Sequence, residues 1–252
     1  MKVIILSSGS KGNTTYVETE TTRILIDIGN SCKYVKERLK ELNVDPKSID
    51  GILITHTHKD HIKGLEVFTK QYGTKVYCTD KMFKYIDYIN NYEFIINDEF
   101  EVGNITIKVI KTSHDTEDSN GYILSSDGHS LVYITDTGYI NQKYFECLTN
   151  HNVYILESNH DIEMLNNGPY PYELRKRIYG DKGHLSNVDC SKYLTSFIGD
   201  KTSCVVLAHL SEENNNPDIA YQTLIDKLNS SNKHVDNIII AKQNEVTEFV
   251  EV

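Results

Sequence analysis

The chain has 252 residues, 39% of them hydrophobic and 25% charged, which excludes a disordered or collagen-like chain and leaves ample apolar material for a core. No apolar run approaches the roughly 20 residues that span a bilayer, which excludes a helical membrane protein. The net charge of -10 opposes a broad, sequence-independent grip on nucleic acid, although a local basic strip, or a site where metal ions bring the positive charge, remains compatible with it.

In chain order, the spacing predicts a strand at 3–6, a strand at 23–26, a helix at 32–42 and a strand at 52–54. Helices at 61–72 and 80–90 follow, then a strand-like stretch at 104–111 and strands at 131–134 and 153–156. A helix at 187–197, a strand at 205–208, a helix at 219–229 and a strand at 238–240 complete the set. Short β-branched runs alternating with helices indicate an α/β layered domain. Polar residues follow run after run: Asp27 and Gly29, Thr55 and His56, Thr135 and Asp136, Glu157, His209. Strand ends of that kind converge on one site. The first run reaches Ser7-Ser8-Gly9 too soon to hold a secretory apolar core. The five cysteines form no CxxC pair, which fits free thiols in a reducing compartment and argues against a Cys-based zinc site. A cytoplasmic protein is expected.

The segment Thr55-His56-Thr57-His58-Lys59-Asp60-His61 packs four metal-ligating side chains into six residues, a window that composition alone produces in about one chain in 1,000. His56 and His58, two apart at a strand end, point the same way and can share one ion. Asp60 and His61 lie past the turn and face a second position; two ions roughly 3.5–4 Å apart need the oxygen ligands that carboxylates supply. His114, after the strand-like stretch, suits a third imidazole on the first ion. Asp136, at a strand end, suits a bridging carboxylate, and His209 suits the second ion. His129, His151, His160 and His234 read as ordinary hydrogen-bonded histidines.

In this order, His56, His58, Asp60, His61, His114, Asp136 and His209 resemble the ligand motifs of the metallo-β-lactamase superfamily. Asp27 resembles its first motif, a structural aspartate behind the metals. The resemblance runs over the whole chain. It implies one domain over 1–252, a four-layer αβ/βα sandwich and two divalent metal ions, Zn or Mn. Three imidazoles suit zinc, and a carboxylate-rich second position tolerates manganese.

Ser8-Gly9-Ser10-Lys11-Gly12-Asn13, Glu157 in Leu156-Glu157-Ser158-Asn159, Gly183-His184-Leu185-Ser186-Asn187 and the stretch from His209 to Pro217 narrow the resemblance to YycJ/WalJ-type hydrolases, relatives of tRNase Z. That likeness implies a 5′–3′ DNA exonuclease linked to repair, with Glu157 and His184 as a pair that assists the leaving oxygen. Independently, an imidazole oriented by a carboxylate is a suitable proton donor, and Asp60 can accept a proton from the attacking water. His184 also reads as a helix-entry residue, with Ser186 or Asn187 as the cap. Ser8, Ser10 and Asn13 read either as a tight turn or as an active-site wall that contacts substrate phosphate. The stretch lacks Walker spacing, so no nucleotide cofactor is expected. Arg175, Lys176 and Arg177, following Tyr170 and Tyr172, read either as a solvated loop leading into an amphipathic helix or as a contact for a DNA strand. The alternative enzyme is a thioester or lactone hydrolase of the same fold, similar to glyoxalase II. A metal-stabilised binding scaffold is the reading from another class, and the oligomeric state stays open.

Overall fold

In the computed structural model, which describes residues 1–251, the two-residue period of the strands sends alternate side chains into different cores. The first half of the chain forms β1 (Lys2–Ser7), β2 (Thr14–Glu18), β3 (Arg23–Ile26), α1 (Cys32–Glu41), β4 (Gly51–Leu53), α2 (Lys59–Ile62) and α3 (Leu65–Tyr72). It continues through β5 (Lys75–Cys78), α4 (Asp80–Phe83), β6 (Tyr92–Phe94), β7 (Glu99–Val102), β8 (Ile105–Lys111), β9 (Asn120–Ser126) and β10 (His129–Ile134). The rest supplies α5 (Phe145–Leu148), β11 (Val153–Glu157), α6 (Ile162–Asn167), α7 (Tyr172–Tyr179), α8 (Asn187–Phe197), β12 (Cys204–Ala208), α9 (Pro217–Ser230), β13 (Asn237–Ile240) and β14 (Val250–Glu251).

The strands make two seven-stranded sheets, ordered β14-β1-β2-β3-β4-β5-β6 and β13-β12-β11-β10-β9-β8-β7. Val3, Ile5, Ile24 and Ile26 of the first sheet share one core with Leu131, Tyr133, Val153, Ile155 and Val206 of the second. The alternate residues of the first sheet, Ile4, Leu6 and Leu25, pack on Val35, Leu39, Leu65 and Phe68 of α1 and α3. Those of the second sheet, Val132, Ile134, Tyr154, Leu156, Val205 and Leu207, pack on Leu194 and Phe197 of α8 and Leu224 and Leu228 of α9. Helix, sheet, sheet, helix: this is the four-layer αβ/βα sandwich.

Strands β3 to β6 run parallel, as do β10 to β13. Asp27, Asp136 and His209, just past the ends of β3, β10 and β12, all adopt left-handed backbone, with φ of 60°, 55° and 55°. Such conformations cost roughly 1–3 kcal/mol each and cluster at functional sites.

The expected helix 61–72 is broken, because Gly64 donates its N–H to the Ile28 carbonyl and no Cβ would fit against the Asn30 carbonyl there. In the expected helix 80–90 only α4 is helical. Beyond it Ile86 and Ile89 turn into the core, their N–H groups reaching back to Phe83 and Ile86. The run at 52–54 is strand only to Leu53, so His56 and His58 sit in the loop between β4 and α2. Strands β2 and β9 escape an apolar-run search because Thr14, Thr15, Asn120 and Ser126 occupy buried positions in them. Ser186, rather than Asn187, caps α8, its Oγ accepting from the Asp189 N–H.

Gly29 locks the two loops that carry the site. Its N–H donates to the Asn13 carbonyl and the Asn13 N–H to the Asp60 carbonyl, each at 2.8 Å. A Cβ at Gly29 would lie 1.7 Å from the Asp60 oxygen. Overpacking of this kind costs roughly 3 kcal/mol or more. Gly29→Ala is therefore expected to lower Tm by about 10 °C for a chain of this size, measured by calorimetry; an unchanged Tm would show that the two loops can separate freely.

Candidate metal centre

The deepest element of the site is Asp27, fully buried. Its carboxylate accepts from the Thr55 N–H at 2.8 Å, the Thr55 hydroxyl at 2.7 Å and His61 Nδ1 at 2.7 Å. With Nδ1 engaged, His61 presents Nε2 to the cluster, the arrangement that orients a metal-binding imidazole. Burial pushes the His61 imidazole down, but Asp136, Asp27 and Asp60 outweigh it and hold it well above its ordinary value. The pocket thus carries an excess of negative charge.

His56, His58 and His114 form one group whose ligand atoms lie within 4.8 Å of one another. His58 Nδ1 and His114 Nε2 are 3.3 Å apart. His114 Nδ1 donates to the Gly183 carbonyl at 3.2 Å, which leaves Nε2 free for the cluster. Burial, followed by the charge of His61, holds His56 well below its ordinary value, so it is an unprotonated donor.

Asp60, His61 and His209 form a second group of the same tightness. Asp136 stands between the two: Oδ2 is 3.3 Å from His61 Nε2, while Oδ1 is 3.5 Å from His209 Nε2 and 3.8 Å from His114 Nε2. Burial pushes the His209 imidazole down, yet Asp136, Asp60 and Glu157 lift it to about 10. Three buried atoms, His56 Nε2, His209 Nε2 and Asp136 Oδ2, have no hydrogen-bond partner within the protein. Buried polar atoms are rarely left unpaired. Imidazole nitrogens and carboxylate oxygens converging without partners match the donor set of divalent transition ions. The residues fit the metals that the sequence implies.

Glu157 lies behind this cluster, fully buried, and every one of its contacts is a donor. Oε1 accepts from His184 Nδ1 at 2.7 Å and from His209 Nδ1 at 2.8 Å, and Oε2 accepts from the Thr137 and Leu185 N–H groups. One carboxylate oxygen therefore aligns a histidine of the cluster and a histidine of the cleft wall, and the two rings stack with centroids 5.4 Å apart. Burial pushes His184 down and Glu157 more than restores it, leaving it above its ordinary value.

The cluster floors a cleft of about 230 Å³ whose lining includes Ser10, Asn159, Tyr170, Arg177, Lys182, His184 and Ser211. Of the residues read as substrate contacts, Ser10 and Arg177 line this cleft. Ser8 and Asn13 are buried in scaffolding roles: Ser8 Oγ accepts the His209 N–H at 2.7 Å, and the Asn13 side chain bonds Gly9 and lies 3.1 Å from His61 Nε2. Arg175 and Lys176 turn away from the cleft, because residues one or two apart on a helix do not share a face, and Arg177 faces the cleft. His160 also departs from expectation, for neither of its buried ring nitrogens has a partner.

Two residues of the site escaped the sequence reading. Lys182, two before His184, has no motif of its own. Asp115 lies 3.4 Å from His114 Nε2 and 3.6 Å from His58 Nε2, and it pairs with Arg177. Its position directly after His114 was the available signal.

The model of the beta-lactamase superfamily domain matches residues 22–209. The chain is 36% identical over 236 residues to the exodeoxyribonuclease WalJ of Streptococcus pneumoniae, spanning 90% of this chain and 88% of that protein. It is 34% identical over 223 residues to the exodeoxyribonuclease YycJ of Bacillus anthracis, spanning 86% and 84%. The short form of human tRNase Z shares the fold, with a TM-score of 0.68 at 14% identity over 98% of this chain and 99% of that one.

Proposed function

The chain belongs to the metallo-β-lactamase superfamily, and we propose that it works there as a metal-dependent DNA exonuclease, acting with 5′–3′ polarity in cytoplasmic DNA repair, with residues 1–252 as one domain. The observation that carries this reading is a single cleft that joins a His/Asp ligand cluster on its floor, a carboxylate-oriented imidazole on its wall and the cations Arg177 and Lys182 in its lining. Relatives named exodeoxyribonucleases, similar over most of both chains, support it. All five cysteines are unpaired, in keeping with a reducing compartment.

In this reading His56, His58 and His114 would hold one ion and Asp60, His61 and His209 the other, Zn or Mn, with Asp136 available to both groups. Bound there, the ions would supply Lewis-acid charge for the phosphoryl oxygens and lower the pKa of a water. Asp60, partly open to the cleft, would accept a proton from the attacking water. His184, its Nδ1 held by Glu157, has Nε2 to give a proton to the departing sugar oxygen. Glu157 is a positioning residue, since it is enclosed and touches only the groups it aligns. Ser10, Arg177 and Lys182 bind the phosphates on either side. A net charge of -10 limits attraction for DNA to local cationic surfaces such as this cleft, so binding loses less with added salt than that of a protein neutralising many phosphates.

The test is a panel on metal-loaded protein: end-labelled single- and double-stranded DNA, closed circular DNA, RNA, a thioester and a lactone. Mononucleotides released stepwise from the 5′ end, with closed circles untouched, are expected. Efficient thioester or lactone turnover without cleavage of any nucleic acid would overturn the proposal.

A further inference from the structure

Helix α7 presents two functional faces. Leu174, Arg177 and Ile178 line the catalytic cleft. Tyr172, Arg175, Lys176 and Tyr179, spaced i, i+3, i+4 and i+7, line a separate depression of about 480 Å³ together with Asn166 and Gly180. Tyr172 is 66% exposed and Tyr179 42%, so both rings offer surface to solvent. Tyr179 is fixed in place, its hydroxyl donating to the Ile162 carbonyl at 3.0 Å and its ring meeting His160 edge-on at 5.3 Å. Arg175 is anchored by its bond to the Asn166 carbonyl, and its Nε is enclosed without a partner.

Cations set beside exposed aromatic rings in one depression distinguish this face from an ordinary solvated helix surface. On α1 and α3, Lys33 pairs with Glu37 and Lys70 with Glu66, while Lys36 and Lys40 of α1 take part in no ion pair among the described residues. On α7, Arg177 pairs with Asp115, whereas among the described residues no carboxylate lies within ion-pair distance of Arg175 or Lys176. Uncompensated cations beside exposed aromatic rings, in a chain of net charge -10, make a local surface for a polyanion that carries flat bases. Stacking on aromatic rings combined with backbone phosphate contact is how single strands are held without sequence preference.

We propose that this depression is a second contact for single-stranded DNA, with bases stacked on Tyr172 and Tyr179 and phosphates held by Arg175 and Lys176. The inference rests on the nuclease reading of the cleft. The two faces are separated by the width of one helix, about 10 Å, so the strand crosses α7 within a few nucleotides of the scissile bond. The contact retains the strand between successive cleavages and sets a minimum length for efficient substrates.

The test uses metal-loaded protein and a phosphorothioate single strand of about 20 nucleotides, which resists cleavage. Tyr172→Ala combined with Lys176→Ala should weaken its binding by roughly 10-fold or more, given the measured worth of one stacked base. Turnover of a chromogenic phosphodiester should stay within about two-fold, since neither residue lines the cleft. Tyr172→Phe, which keeps the ring, should bind like the parent protein. Equal binding by the parent protein and the double variant would overturn the second contact. Loss of binding in the double variant, alongside a parent protein that cuts no DNA, would leave the contact standing and remove the nuclease reading instead.

Discussion

Asp136→Ala is expected to lose bound metal and nearly all turnover together. Asp136 is the one carboxylate whose two oxygens reach both ligand groups, Oδ2 towards His61 and Oδ1 towards His209 and His114. It is also one of the buried atoms left without a partner inside the protein. Deleting it removes a negative charge that offsets the repulsion between two cations. Loss of a hydrogen-bond partner behind a ligand costs about 10–100-fold in affinity or activity. Loss of a shared ligand should exceed the upper end of that range, with elemental analysis falling from two ions per chain towards one or none. Chelation of the parent protein should abolish hydrolysis, and Zn²⁺ or Mn²⁺ should restore it. Full turnover by metal-free protein, or an Asp136→Ala variant that keeps both its metal and its rate, would remove the dinuclear assignment.

The second large effect belongs to His184. If Nε2 supplies the proton to the departing oxygen, His184→Ala should lower DNA cleavage by roughly 10²–10⁴-fold, the usual worth of a positioned acid. A diester of p-nitrophenol, whose leaving group needs no proton, should lose far less. Metal content should hold, because His184 Nδ1 is taken by Glu157 and His184, although 3.8 Å from Asp136 Oδ1, belongs to neither the His56, His58, His114 group nor the Asp60, His61, His209 group. The comparison with Glu157→Gln is informative. That change disturbs both His184 and His209, so it should reduce metal content as well as the rate, and the rate loss should appear on both substrates. Equal losses on the two substrates for His184→Ala would assign it to holding phosphate or metal instead of donating a proton.

Much of this site was legible in the chain before folding. The His56-to-His61 segment concentrates donors at a spacing that has no structural reason to exist. Each later ligand follows a stretch predicted as strand, which is why one edge of the fold collects them. The layered α/β architecture was legible for the same reason: β3, β10, β11 and β12 coincide with apolar runs, because parallel strands buried on both faces must be apolar almost throughout. Strands β2 and β9 were hidden because Thr, Asn and Ser residues interrupt their apolar pattern at positions that only the tertiary structure encloses.

What the sequence determined by itself was the proposed ligand set and its order, since donor type and strand-end position are local properties. What only the tertiary structure decided was which residues serve those ligands and which way the basic run faces. Asp27 holds His61, Glu157 holds both His184 and His209, and Ser8 holds the His209 backbone, pairings across 34, 27, 52 and 201 positions. No periodicity encodes partnerships at such separations. Arg175, Lys176 and Arg177 are consecutive, yet the roughly 100° turn between neighbours on a helix sends the third into the cleft and the first two to the opposite face. The residue types were written in the chain, and the direction of each was set by the helix and by the loops that seat it.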